Sequence, residues 1–267
     1  MTTYYASAVM ERLRGRFERL YGARAERCLS RLAMLVGRYG LGAAPRPAAP
    51  WDQTDSVLIT YADMIRAPEE KPLVTLKRFL DERLAGAIRH VHLLPFFPSS
   101  SDDGFSVIHY RLVDPALGDW PEVRALGERF GLMFDLVLNH VSRKSGWFLD
   151  YRAGVAPGRH YFIEADASAD LSSVVRPRTT PLLQPVHTRA GRRHVWTTFS
   201  EDQVDLDYSN PDVLFEILDI LMFYIAQGAR IIRLDAVAYL WKRLGTSCLH
   251  QPETHEIVRL MRDFLAL

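Results

Sequence analysis

The sequence predicts an α/β fold: a parallel sheet of about four βα units, with a helical extension ahead of it and a small subdomain inserted after the third strand. Three observations carry this. From Ser56 onward, short apolar runs alternate with longer segments of helical period. Between His140 and Asp212 that alternation fails for longer than an ordinary βα loop allows. The run from Gly42 to Pro50 crowds prolines together, which removes backbone donors and sets off everything before it.

Residues Tyr4 to Tyr39 carry apolar positions at helical spacing (Val9, Leu13, Phe17, Leu20, then Leu29, Leu32, Leu35), so two amphipathic helices are expected. A new unit starts near Trp51. Ser56 to Thr60 reads as a buried strand, Val74 to Leu84 as a helix and His90 to Leu94 as the second strand. A helix is expected around Trp120 to Phe130, a strand over Leu132 to Leu138, a long helix over Pro211 to Gln227, a strand over Ala229 to Leu234, and a last helix from Thr254 to Leu267. The resulting division is 1–50 for the helical extension and linker, 51–140 for the first three units, 141–210 for the inserted subdomain, and 211–267 for the fourth unit. Four units cannot close an eight-stranded barrel, which takes about 250 residues for the barrel alone.

The chain has 267 residues, 48% hydrophobic and 24% charged, which is ordinary for a chain with a substantial core. Its 33 basic residues balance 32 acidic ones, so no charge field points to nucleic acid or to a membrane surface. The two cysteines, Cys28 and Cys248, are far apart and lack metal-type spacing, so free buried thiols and a cytoplasmic setting are expected. No stretch approaches the roughly 20 apolar residues of a membrane span.

In parallel α/β folds reactive groups gather at the carboxyl ends of strands. Three clusters fall there. After the second strand, Asp102 stands close to Phe105, a pairing that suits a sugar whose hydroxyls need acceptors and whose C–H face needs an aromatic surface. At the third, period-2 spacing puts Asp135 and Asn139 on one face with His140 at the strand end. At the fourth, Arg233 and Asp235 share a face, and a guanidinium beside a carboxylate is expected to lower its pKa and keep it ionised, as a nucleophile requires. Taken singly, Asp102 would be a turn residue, His140 a satisfied structural histidine and Asp235 a solvated carboxylate. Their joint occurrence at successive strand ends outweighs those readings.

Asp135, Asn139 and His140, with Arg233, Asp235 and Ala236 about 95 residues beyond them, resemble the two signatures of the α-amylase superfamily of retaining glycosidases and transglycosylases. Thr60-Tyr61-Ala62-Asp63, Leu94-Pro95-Phe96-Phe97, Val175-Arg176-Pro177-Arg178, Gln203-Val204-Asp205 and Gly245-Thr246-Ser247-Cys248 are similar to the sucrose phosphorylase group, and the helical extension with Trp51-Asp52-Gln53 to its glucosylglycerate-type members. The resemblance implies the first half of a TIM (β/α)8 barrel. It makes Asp235 the nucleophile beside Arg233, with Asp102, Phe105 and His140 on the glucosyl unit, Tyr239 close to the nucleophile, Arg178 on the phosphate or acceptor side and Gln203 in an acceptor-side loop. Asp135 and Asn139 are structural members of the motif. Where the family has Ile-Asp-Tyr or Ile-Asp-His, this chain has Ile108-His109-Tyr110, which removes a carboxylate from that loop.

The implied reaction is a double displacement in which phosphate captures a covalent glucosyl-enzyme and stereochemistry is retained. The implied partners are a small α-glucoside and inorganic phosphate, with no cofactor and no metal. The family's acid/base Glu follows the fifth strand and its transition-state-stabilising Asp the seventh. Glu253 and Glu256 fall instead on an outer helix. The expectation is therefore a truncated phosphorylase, weakly active or inactive alone, whose open strand edges favour self-association. Two alternatives stand beside it: a non-catalytic carbohydrate-binding or assembly subunit, and an α-glucosidase or amylosucrase-type enzyme.

Overall fold

A computed structural model describes residues 2–40 and 51–267. The Pro-rich linker expected at 42–50 lies outside the described residues. Two helices come first, α1 (Thr2–Tyr21) and α2 (Ala25–Arg38). Then follow β1 (Val57–Thr60), α3 (Pro72–Arg83), β2 (His90–Leu93), α4 (Trp120–Leu126) and β3 (Gly131–Val137). The inserted region holds β4 (His140–Ser142), α5 (Gly146–Ala153), β5 (Leu183–Thr188), β6 (Gly191–Trp196) and β7 (Gln203–Asp205). The chain continues through α6 (Pro211–Ala226), β8 (Ala229–Asp235) and α7 (Pro252–Leu265).

β1, β2, β3 and β8 form one parallel sheet in that order. Its helix-facing side is apolar and closed: Val91, Leu93, Leu132, Phe134 and Leu136 have no exposed surface. On the opposite face Ile59, His92, Met133 and Ile231 lie in one register row. Ile59 is 63% exposed there, so that side of the sheet is open at its β1 edge, while His92 and Asp135 are buried farther in. The strands are too short and too apolar to span a solvent-exposed layer on both sides, and α3, α4 and α6 supply the single cover they have.

Helix starts fall where capping chemistry puts them. α3 and α7 each begin at a proline in the first turn, two residues before the periodic apolar pattern, because proline's missing N–H costs nothing at that position. Asp119 and Glu122 form a capping box on α4. That helix stops at Leu126 rather than near Phe130, since Gly127 caps it and Gly131 already opens β3.

α1 and α2 share the sheet's core. Val9, Leu13 and Phe17 are fully buried, and the Phe17 ring stacks on Phe215 of α6 at 6.0 Å. Arg16 joins α1 to α7 through Asp263 (2.5 Å) and Glu256 (3.0 Å). Arg31 and Arg38 tie α2 to Asp212 and Asp219 of α6. The inserted region is an antiparallel pair, β4 with β7, beside the β5–β6 hairpin. Cys28 and Cys248 are free and buried. None of the described helices is long and apolar enough to cross a membrane.

Candidate active site

Asp235 is the last residue of β8 and lies across from Val137 at the carboxyl end of the sheet. The next residue, Ala236, takes a left-handed backbone (φ 54°), a conformation that costs a residue with a side chain on the order of 1–3 kcal/mol and is found where structure is held for a purpose. Arg233, one side-chain repeat earlier on the same strand, places Nη1 2.5 Å from Asp135 Oδ1 and 3.1 Å from Asp235 Oδ1. It thus links a fully buried carboxylate to one that is 17% exposed.

The net effect on Asp235 differs from the one expected from Arg233 alone. Burial pushes the Asp235 carboxyl above the ordinary carboxylate range, and the pull of Arg233 and His140 offsets this only in part. Charge neighbours are visible in a sequence; desolvation by the surrounding fold is not. A raised carboxyl is still a usable nucleophile, because desolvation leaves the ionised form less well hydrated and more reactive.

The 102–104 turn is left-handed at three consecutive residues, Asp102 (φ 56°), Asp103 (φ 48°) and Gly104 (φ 100°). Glycine is required at the third, since a Cβ there would lie 2.7 Å from the Pro95 carbonyl oxygen. Asp202 holds the turn: its carboxylate accepts from the hydroxyls of Ser100 (2.5 Å), Ser101 (2.5 Å) and Ser106 (2.8 Å). Burial would raise this carboxyl, but those hydroxyls carry it below its usual range. Gln203 next to it is buried and donates from Nε2 to Asp102 Oδ2 at 2.8 Å.

His140 is buried and its Nε2 lies 3.1 Å from the Phe105 carbonyl, which can only accept, so the proton sits on Nε2. Burial pushes this imidazole below its ordinary value and favours the neutral form. The Gln203 amide nitrogen is 3.1 Å from the same Nε2. The His140 ring is 5.2 Å from Phe199, which meets the Tyr239 ring edge-on at 5.2 Å. The Arg233 guanidinium stands 5.7 Å above the Phe105 ring. Asp102, Phe105, His140, Gln203, Arg233, Asp235 and Tyr239 are therefore joined by direct or one-residue contacts.

Arg178 is not in this group; it is exposed and donates to the carbonyl of its own neighbour, Pro177. Asn139 is fully buried and structural, giving Nδ2–H to Asp205 (2.9 Å) and accepting from Lys242 (2.6 Å). The 108–110 loop is ordered without the missing carboxylate: the His109 ring accepts from the Arg111 amide at 3.2 Å, and the Tyr110 hydroxyl reaches the carbonyls of Val137 and His140. A cleft of about 380 Å³ lies elsewhere, between α2 and α6, lined by Arg31, which pairs with Asp212, and by Arg38, Arg111, Glu216 and Asp219, which pair among themselves. The Asp235 group instead lies on the sheet's open face.

Three residues of the site escaped the sequence reading. His92 of β2 bonds Asp135 at 2.7 Å. Lys242 is buried against Asp205 at 2.6 Å. Asp202 organises the 100–106 loop. A polar residue inside the apolar run HVHLL was the available signal for His92, because a buried polar group demands a partner. Lys242 carries no local signal at all.

Residues 86–266 match the family described as "Alpha amylase, catalytic domain". The chain is 55% identical over 213 residues to a protein of Spirochaeta thermophila named glucosylglycerate phosphorylase, covering 80% of this chain and 36% of that one. Over 243 residues it is 49% identical to one of the same name from Allomeiothermus silvanus, covering 91% and 43%. The crystal structure of sucrose 6F-phosphate phosphorylase from Thermoanaerobacter thermosaccharolyticum superposes with a TM-score of 0.73 at 30% identity, covering 81% of this chain and 47% of that one. The chain thus spans less than half the length of these relatives, and its sheet resembles the N-terminal part of their barrel.

Proposed function

The chain belongs to the α-amylase catalytic-domain family, and on that footing we propose that its site serves a retaining sugar phosphorylase in which Asp235 attacks the anomeric carbon of an α-glucoside. The observation that supports this most is the placement of Asp235 at the end of β8, held by Arg233 and facing the Asp102, Gln203 and His140 cluster. Asp102 and Phe105 bind the glucosyl unit in this reading, and neutral His140 turns its one N–H from the Phe105 carbonyl to a sugar hydroxyl. Gln203 donates to Asp102 Oδ2 at 2.8 Å, the oxygen that accepts a sugar hydroxyl in this reading. Inorganic phosphate then attacks the glucosyl ester and releases glucose 1-phosphate with retained configuration. Arg178 is the cation we propose for that phosphate.

Retention needs a second carboxyl about 5 to 5.5 Å from the first. Asp135, the carboxylate that Arg233 ties to Asp235, cannot serve: it has no exposed surface and both its oxygens are engaged. In our reading the acid belongs to the segment after a fifth strand, as in the family. Two free thiols fit a cytoplasmic setting. The names of the relatives make glucosylglycerate the first α-glucoside to try, ahead of sucrose and sucrose 6-phosphate. The test is phosphate-dependent release of glucose 1-phosphate by the protein with that acid-bearing segment present, with Asp235→Asn expected to lower it by about 10⁴-fold or more. Unchanged release by that variant contradicts the assignment.

A further inference from the structure

His92 has no part in the chemistry described above, yet it is joined to it. Its side chain is 4% exposed on β2, and register with Met133 puts it on the same sheet face as Asp135. Nε2 lies 2.7 Å from Asp135 Oδ2. An ionised carboxylate only accepts, so Nε2 carries the proton. The other oxygen, Asp135 Oδ1, takes Arg233 Nη1 at 2.5 Å, and that same nitrogen lies 3.1 Å from Asp235 Oδ1. One guanidinium nitrogen is therefore shared between two carboxylates, and its division between them decides how much positive charge Asp235 feels.

We propose that His92 is a positioning residue for Asp235: by holding one oxygen of the buried Asp135, it confines Arg233 to the other oxygen and keeps the guanidinium within reach of Asp235. The inference rests on Asp235 as the nucleophile. Arginine and carboxylate prefer the two-bond fork when both oxygens are free. Asp135 and Arg233 are directly paired across β3 and β8, so the fork is geometrically open to them once His92 is removed. The Phe105 ring bounds the guanidinium on one side, at 5.7 Å. Four groups act on the Asp235 carboxyl or are acted on by it: Arg233 on its own strand, Asp135 from β3, His140 from β4, and the Tyr110 hydroxyl. Burial keeps His140 toward its neutral form. Arg233 is thus the lasting positive charge, and drawing it onto Asp135 leaves desolvation less opposed.

The test follows the Asp235 side-chain carboxyl by 13C NMR across pH in the full chain labelled at aspartate, with the resonance identified by its loss in Asp235→Asn. His92→Ala is expected to raise the titration midpoint by ~1 pH unit. His92→Gln, whose amide can still donate to Asp135, restores it. His92→Asn keeps a polar side chain and leaves a smaller void than alanine but falls short of Oδ2, and it carries the same expectation should the alanine variant not fold. In the transfer reaction the acid limb of kcat shifts upward by the same amount while KM for the glucoside stays near wild type. An unmoved midpoint in both His92→Ala and His92→Asn overturns the proposal. A moved midpoint with full turnover in Asp235→Asn upholds the His92 linkage and removes the nucleophile reading, so the two failures are told apart.

Discussion

At the scale of single residues, the site is governed by how few carboxylates are left uncommitted. Asp235 is tied only through the nitrogen of Arg233 that it shares with Asp135, and its raised pKa has a consequence for stability. A carboxyl whose folded pKa lies above its unfolded value is destabilising when ionised: the penalty is complete above the folded pKa and vanishes below the unfolded value, near 3.9. Asp235→Asn, which mimics the neutral acid, is therefore expected to raise the melting temperature at pH 7, with the gain disappearing as pH falls below about 4. Thermal unfolding at both pH values checks this, and a loss of stability at pH 7 contradicts it. Asp202 is committed in the opposite sense. Replacing it by alanine releases Ser100, Ser101 and Ser106 together, and local opening of the 100–106 loop should become easier by about 1.5–3 kcal/mol. Amide exchange confined to that loop, faster by roughly 10- to 150-fold, is the readout.

At the scale of elements, β7, the junction between β3 and β4, and the segment after β8 meet around one ammonium. The Lys242 side chain is 5% exposed and its Nζ lies 2.6 Å from both Asp205 and Asn139. Asp205 also accepts from the Thr198 amide and hydroxyl. Lys242→Met keeps the stem but leaves Asp205 buried without a counter-charge, which costs about 3–5 kcal/mol by the usual behaviour of buried pairs. The denaturation midpoint measures the loss. A midpoint equal to wild type means that solvent reaches Asp205 and the ammonium is dispensable.

The elements themselves were legible wherever period and composition agreed. The apolar runs at 57–60, 90–93, 131–137 and 229–235 are strands in the places expected. Helix starts were displaced at Pro72 and Pro252, where capping overrides the apolar pattern. Of the candidate site, Asp102, Phe105, His140, Gln203, Arg233, Asp235 and Tyr239 converge because each sits near a strand end or in the loop that follows one. His92 and Lys242 were not legible. Their partners lie 43 residues away (Asp135) and 103 residues away (Asn139), and only the folded sheet brings them together.

At the scale of the whole molecule, the parallel order β1, β2, β3, β8 puts the carboxyl ends of all four strands on one side, and the helical extension braces the opposite layer through α6 and α7. Helices cover one face of the sheet, and the site lies on the other. As the proposed nucleophile, Asp235 forms a covalent bond to glucose. A 5-fluoro-α-glucosyl fluoride tests it most directly, because fluoride departs without an acid catalyst and the glucosyl ester accumulates. Peptide mass mapping of the treated protein is predicted to place one fluoroglucosyl group on Asp235, with none in Asp235→Asn. A label on another carboxylate, or equal labelling of the Asn variant, contradicts the claim.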